Sequence, residues 1–298
     1  MSPLHLGVSL QQRWPLNDAS SIFRAARHAE DLGFDHAAAG QRLLESGYAV
    51  DGHFSDPLVL LSAIAASTTR LRLLTSVLVA PYYPAVLLAN QAATLDYVSG
   101  GRLILGVAVG WKPDDFEAIG VPFRERGARM DDHLAAVKAL WAQQPADFDG
   151  EFTTLRDAHL GMPSVTPGGP PVWIGGHSDA ALRRALRVGD GWYASSLDAD
   201  ELTDMRHRLR EAAADTGDAD RLTIASVQFL SPPGFPGEVP SERRPLGGHK
   251  PSAASVVDDL GRLAEAGLTV CTLWLPSMEG RVEEAMDWIA AEIMPQLT

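Results

Sequence analysis

Short apolar runs alternate with segments of helical spacing along the whole chain. Leu4–Leu10, Phe34–Ala39, Leu71–Val79, Leu103–Val109, Pro171–Ile174, Gly191–Ala194, Leu222–Leu230 and Leu268–Leu275 read as strands. Ile22–Leu32, Pro57–Ala66, Pro84–Val98, Arg129–Trp141, Ala180–Val188, Glu201–Ala214, Ser252–Ala266 and Val282–Met294 have the apolar spacing of helices. The first helix follows Pro15 and Asn17-Asp18 and stops at Gly33, a residue suited to the left-handed turn that ends helices. The run Leu71–Val79 lacks sustained polar alternation, as expected of a parallel strand covered on both faces. Eight strand–helix units predict an α/β fold: a (β/α)8 TIM barrel with parallel strands and loop insertions at the C-terminal face. An open, doubly wound sheet is the alternative.

Two stretches break the rhythm. Pro145–Pro170 reads as a long loop, and Ser231–Gly248 is rich in Pro and Gly. The strand–helix pattern resumes after each, so neither reads as a linker, and residues 1–298 are expected to form one domain. The second stretch follows the seventh strand, on the face where barrel active sites sit; it reads as a substrate lid or as a plain surface loop.

Composition narrows the function. A net charge of −13 disfavours non-specific nucleic-acid binding and docking on anionic lipid, while leaving room for a local basic pocket. The one cysteine, Cys271, lies in an apolar run and reads as a buried thiol; alone, it excludes a disulfide framework. No run reaches the roughly 18 apolar residues of a membrane span, and the first residues lack the marks of a secretion signal, so a cytoplasmic location is expected.

Two segments carry candidate chemistry. In Pro81–Gly127, Gly106 and Gly110 bracket the end of the fourth strand and Trp111 follows; the glycines let backbone approach a ligand closely, or simply turn the chain. In Pro171–Tyr193, a strand ends in Gly175-Gly176-His177-Ser178 and a helix opens at once. Outward N–H groups and the helix dipole favour an anion there, and two glycines let a phosphate approach; Ser178 serves equally well as a plain N-cap. The same residues approximate the nucleophile elbow of serine esterases, with Ser178 as nucleophile and His249 later in the chain, although no His-Gly-Gly oxyanion loop occurs. The nine histidines include no metal-binding pair at helical spacing. His28, His133 and His207 have charged neighbours and read as solvated, whereas His53 lies in a loop on the active-site face, open to a catalytic role.

Together the two segments resemble the luciferase-like monooxygenases, especially the branch of deazaflavin (coenzyme F420)-dependent oxidoreductases. The resemblance is carried by Ala93-Thr94-Leu95-Asp96, Ser99-Gly100-Gly101-Arg102, Leu105-Gly106-Val107, Gly110-Trp111, Gly120-Val121-Pro122-Phe123, Arg126-Gly127, Asp149-Gly150-Glu151-Phe152, Pro171-Val172-Trp173-Ile174-Gly175-Gly176 and Asp190-Gly191-Trp192, in order along nearly the whole chain. It implies a flavin-type cofactor, F420 or FMN, across the C-terminal face. It implies a non-proline cis peptide at Ser76-Val77 behind the cofactor ring, and a phosphate held by Gly110-Trp111 and Gly175-Gly176-His177-Ser178, after the fourth and fifth strands. Where relatives often carry a histidine after the second strand, Gln41 stands here; it can orient a ring carbonyl but cannot act as a base near neutral pH. Where they often have histidine before a proline, Tyr82-Tyr83-Pro84 stands. The implied chemistry is hydride transfer with a deazaflavin, or oxygen insertion with reduced flavin supplied by a separate reductase, on a small and mostly apolar substrate. A flavin carrier without turnover is the non-enzymatic alternative, and a homodimer is the assembly common among relatives.

Overall fold

The computed structural model describes residues 4–10, 12–14, 17–44, 53–214, 218–235, 244–276 and 281–297. Among them eight parallel strands form a closed ring: β1 (His5–Ser9), β2 (His36–Ala39), β3 (Arg72–Thr75), β4 (Leu103–Ala108), β5 (Val172–Gly175), β6 (Gly191–Ser195), β7 (Thr223–Phe229) and β8 (Val270–Trp274). Neighbours in sequence pair in space, β4 pairs β5 through Trp173 and Gly106, and β8 returns to β1 through Cys271 and Leu6. The helices α1 (Ala19–Leu32), α2 (Pro57–Ser67), α3 (Ala85–Ser99), α4 (Arg126–Ala142), α5 (Asp179–Val188), α6 (Ala199–Ala213), α7 (Ala253–Glu265) and α8 (Val282–Glu292) surround it. The barrel reading of the alternating pattern therefore holds.

Residues of alternating direction serve two cores. Val8, Ala37, Leu73, Leu105 and Ile174 point outward into the layer shared with the helices. Ala38, Leu74, Ile104, Trp173, Tyr193, Ala225 and Val270 point inward and plug the barrel. Several family-motif residues turn out to be architectural. Asp96, fully buried, accepts bonds from the hydroxyls of Ser164 and Thr166 and from Thr166 N–H. Arg102 donates to the carbonyls of Ala65, Thr68, Leu71 and Ser99, so one guanidinium gathers the α2–β3 and α3–β4 turns.

Three expectations need correction. Leu71–Val79 is not one strand: it breaks after Thr75 and resumes at Leu78–Val79, which pairs with β4. Pro145–Pro170 is not a structureless loop: Ala146–Asp149 and Thr154–Ala158 form an antiparallel hairpin. His133 is not solvated: it is buried on α4, and burial holds its pKa below the usual imidazole range against the opposing pull of Asp132. His28 pairs with Asp287 at 2.7 Å. Of the expected lid, residues 236–243 lie outside the described residues. Cys271 is fully buried, and burial pushes its thiol pKa up.

Glu30, near the end of α1, accepts the backbone N–H groups of Thr69, Arg70 and Leu71 at 2.9, 2.7 and 2.8 Å. Burial opposes its ionised form, but the three backbone donors and the Thr69 hydroxyl outweigh it and bring its pKa to about 2. A carboxylate depressed in this way stabilises the fold above its unfolded pKa and loses that contribution as pH falls through the folded value. Glu30→Gln is expected to cost about 1–2 kcal/mol at pH 7 after allowance for solvent screening. In urea unfolding across pH, the cost should shrink between 4.5 and about 2.

Candidate active site at the barrel mouth

At the C-terminal ends of the strands, the positions above the apolar plug are small on one side and bulky on the other. Gly106 and Ala108 of β4 and Gly175 of β5 leave a flat shelf, while Phe229 and Trp274 meet edge to face at 5.3 Å across from it. The glycines are there for room: a Cβ on Gly175 would sit 3.3 Å from Val77 Cγ1, and one on Gly106 would sit 2.1 Å from the Thr75 carbonyl oxygen. Val77 packs on the plug beneath the shelf.

The Ser76-Val77 peptide at the end of β3 is cis, as the resemblance implies. The Ser76 hydroxyl lies 2.9 Å from the Tyr193 phenol. Gln41 is also at the mouth, with both ends of its amide engaged. Its Nε2 donates to the Tyr83 hydroxyl at 2.6 Å and its Oε1 accepts Val79 N–H at 2.7 Å. Tyr83 in turn donates to Asp56 at 3.4 Å, and burial together with the Asp56 charge pushes its phenol pKa up. Gln41 therefore fixes Tyr83 and the end of the broken third strand. Gln12, which the sequence did not single out, closes the neighbouring strand end: it accepts Gly40 N–H and donates to the Gly40 and Ser55 carbonyls. The backbone of His53 pairs with Trp14 in a two-residue antiparallel ribbon; its side chain lies outside the described residues.

β4 and β5 are adjacent, so Gly110-Trp111 and Gly175–Ser178 emerge side by side. Gly110 has φ +80°, and a Cβ there would meet Val79 Cγ1 at 2.6 Å, so both turn and packing demand glycine. Trp111 is 69% exposed. Lys112, by contrast, is buried and donates to the Leu44 carbonyl at 2.7 Å, tying this loop to the one after β2.

Gly176 has φ +121° and is exposed; its carbonyl is fixed by Trp192 Nε1 at 2.7 Å. His177 Nε2 accepts Ser195 N–H at 2.9 Å, which puts the proton of the neutral ring on Nδ1. Ser178 caps α5, its hydroxyl accepting Ala181 N–H. The first N–H groups of that exposed helix start have no intrahelical partner and sit at the positive end of its dipole. The elbow reading of Ser178 fails here. The residue has ordinary extended backbone (φ −77°, ψ 155°), its oxygen is occupied by the cap, and it stands in a closed parallel barrel.

A separate hollow of about 460 Å³ lies off the barrel axis, among Ser196, Asp198, Gln228, Arg244, Asp259 and Arg262. The start of α6 beside it is already closed by an Asp198–Glu201 capping box, so that helix end offers an anion less than α5 does. Among the described residues no cluster of His, Cys, Asp and Glu is set to hold a metal ion.

The parallel barrel thus carries small residues at the ends of β4 and β5 and an exposed helix start beside them at its mouth. Residues 3–231 match the luciferase-like monooxygenase model, and the chain belongs to that family. It is 37% identical over 176 residues to an uncharacterised protein of Mycobacterium tuberculosis, covering 59% of this chain and 60% of that one. It is 32% identical over 244 residues to the F420-dependent glucose-6-phosphate dehydrogenase of Kineococcus radiotolerans, covering 78% of this chain and 70% of that one. It is 30% identical over 204 residues to the FMNH(2)-dependent dimethylsulfone monooxygenase of Pseudomonas putida, covering 67% of this chain and 55% of that one. The chain thus spans about 60% of the length of the first of these relatives. Its fold superposes on an F420-dependent secondary alcohol dehydrogenase, solved with an F420-acetone adduct, with TM-score 0.84 over the full length of both chains at 16% identity. No helix among the described residues is long and apolar enough to cross a membrane.

Proposed function

We propose that this chain is an oxidoreductase that holds a deazaflavin of the F420 type across the barrel mouth and passes hydride between it and a small, mostly apolar organic molecule. The observation that carries the reading is the flat shelf of Gly106, Ala108 and Gly175 running directly into the exposed start of α5. It offers a planar ring a floor and a phosphate a set of donors within one ligand's length. The bound cofactor would supply the two-electron chemistry. The chain's own residues hold and orient it. Ser76 and Val77 support the ring. Gly110-Trp111, Gly175-Gly176, His177 through Nδ1–H, and the α5 N–H groups beside Ser178 take the phosphate. Gln41 sets Tyr83 at the rim, and His53 is the further polar group proposed there. The likeness to an F420-dependent relative over 78% of the chain supports the deazaflavin.

The likeness to an FMNH(2)-dependent monooxygenase supports a second reading, oxygen insertion with reduced FMN delivered by a separate reductase. Parallel titrations of the purified chain with F420 and FMN, each oxidised and reduced, decide between them. Selective F420 binding is expected; selective binding of reduced FMN selects the second reading, and binding of neither overturns both.

A further inference from the structure

The apolar barrel interior is threaded by one line of polar side chains. At its mouth end, Ser76 Oγ is 2.9 Å from the Tyr193 hydroxyl. Thr272 is the next polar side chain along the line, close enough to the Tyr193 phenol to favour its ionised form. The Thr272 hydroxyl lies 2.8 Å from His36 Nε2, and His36 Nδ1 lies 3.0 Å from Asp35 Oδ2. Tyr193, Thr272 and His36 are all buried. Asp35, at the opposite end of the barrel, lines a hollow of about 170 Å³ with His5, Gly33 and Met294. The line crosses strands: His36 on β2 reaches Thr272 on β8 over β1, and it can do so only because β1 has glycine at the crossing. A Cβ on Gly7 would stand 2.3 Å from the His36 ring. Gly7 has no positive φ to explain it, so room for the imidazole is its reason. Burying this many polar groups is costly unless they bond one another.

We propose that Ser76, Tyr193, Thr272, His36 and Asp35 form a proton relay that connects the barrel mouth to the opposite face and moves the proton that accompanies hydride transfer. The proposal rests on the oxidoreductase reading of the mouth. Hydride transfer to or from a carbon bearing oxygen leaves one proton to be moved, and the Gln41 amide, standing where a base is expected, cannot take it. Each hydroxyl in the line can accept and donate at once. With His36 donating through Nδ1–H to Asp35, Nε2 accepts from Thr272, Thr272 from Tyr193, and Tyr193 from Ser76, so Ser76 Oγ presents a lone pair to the mouth. When a proton passes inward, the O–H bond of the reacting group breaks and an N–H bond forms at His36 Nε2. Each of the three hydroxyls exchanges one proton, and no electrons move. The new positive charge faces Asp35. Burial opposes that carboxylate, but the bond from His36 and the attraction of the cationic groups around it, Arg72 among them, outweigh it and keep its pKa below the usual range. Burial pushes the Tyr193 phenol up to about 12, so it relays the proton as a neutral hydroxyl.

The test uses the full chain labelled with 15N-histidine. Tyr193→Phe, which removes a hydroxyl two links from the imidazole, should shift the His36 Nε2 resonance, and Tyr83→Phe should leave it in place. With F420 bound and propan-2-ol as probe, Thr272→Val should lower the single-turnover rate about 30- to 100-fold with KM unchanged and reduce the solvent deuterium effect; Thr272→Ser should restore most of the rate. An unmoved His36 resonance, or an undiminished rate in Thr272→Val, overturns the relay. If F420 fails to bind or no alcohol is oxidised, the reading of the mouth fails, and the resonance of His36 alone decides the relay.

Discussion

Replacing Gly176 by aspartate should weaken cofactor binding by about 100-fold or more. A carboxylate about 5 Å from a phosphate, at an effective dielectric of about 20, repels it by about 3 kcal/mol, and each 1.4 kcal/mol is a factor of ten. The residue sits next to the start of α5, where an added negative charge also cancels the favourable end of the helix dipole. Gly176 has φ +121°, so any side chain there strains the backbone, and a Cβ meets Ala181 Cβ at 3.2 Å. Gly176→Ala carries the strain without the charge and is expected to cost less than about tenfold. Isothermal titration of both variants against the unaltered chain separates the two contributions. Equal affinity in all three would remove the phosphate from α5 and leave the shelf without its anchor.

Gly106→Ala should be a severely damaging addition of a single methyl group. Its Cβ would come within 2.1 Å of the Thr75 carbonyl oxygen, and backbone cannot rotate aside as a side chain can. β3 and β4 are neighbours in the barrel wall, and the Thr75 hydroxyl donates to the Gly106 carbonyl at 2.8 Å, so separating the strands also loosens that bond. A loss of about 3–5 kcal/mol is expected, in the range of overpacking and strain combined. Thermal unfolding should show it as a fall of about 6–15 °C. A change of under about 1 kcal/mol would mean that the strands have slack at the shelf, and that its flatness is not set by their close approach.

The barrel was legible because β1 to β8 are short apolar runs separated by helices with ordinary stop signals, such as Gly33 with φ +86°. The hairpin within residues 145–170 was not, because Ala146–Asp149 alternates apolar and polar for only four residues and Thr154–Ala158 loses the alternation at Arg156-Asp157. Nothing in Leu71–Val79 marks the break at Ser76; only the family resemblance pointed to it. His133 did leave a trace. Its sequence neighbours Asp131 and Asp132 suggested solvent, but Met130 and Val137, three and four residues away, share its helix face and are buried with it. The room at the ends of β4 and β5 was readable from the placement of Gly106, Gly110, Gly175 and Gly176, where strands give way to loops. His36, Tyr193 and Thr272 could not. Each is a single polar residue in a different apolar strand, and only barrel closure brings them into line.

The match to the family ends at residue 231, just after β7. β8, at Val270–Trp274, lies beyond it, yet that strand pairs with β7 on one side and β1 on the other. A chain cut back to the shared segment would therefore not be a smaller barrel. It would be an open sheet with two raw edges, His5–Ser9 and Thr223–Phe229, each presenting unpaired backbone groups to solvent. Such edges recruit strands from other molecules. For this chain the last quarter of the sequence is what covers both edges and closes the ring.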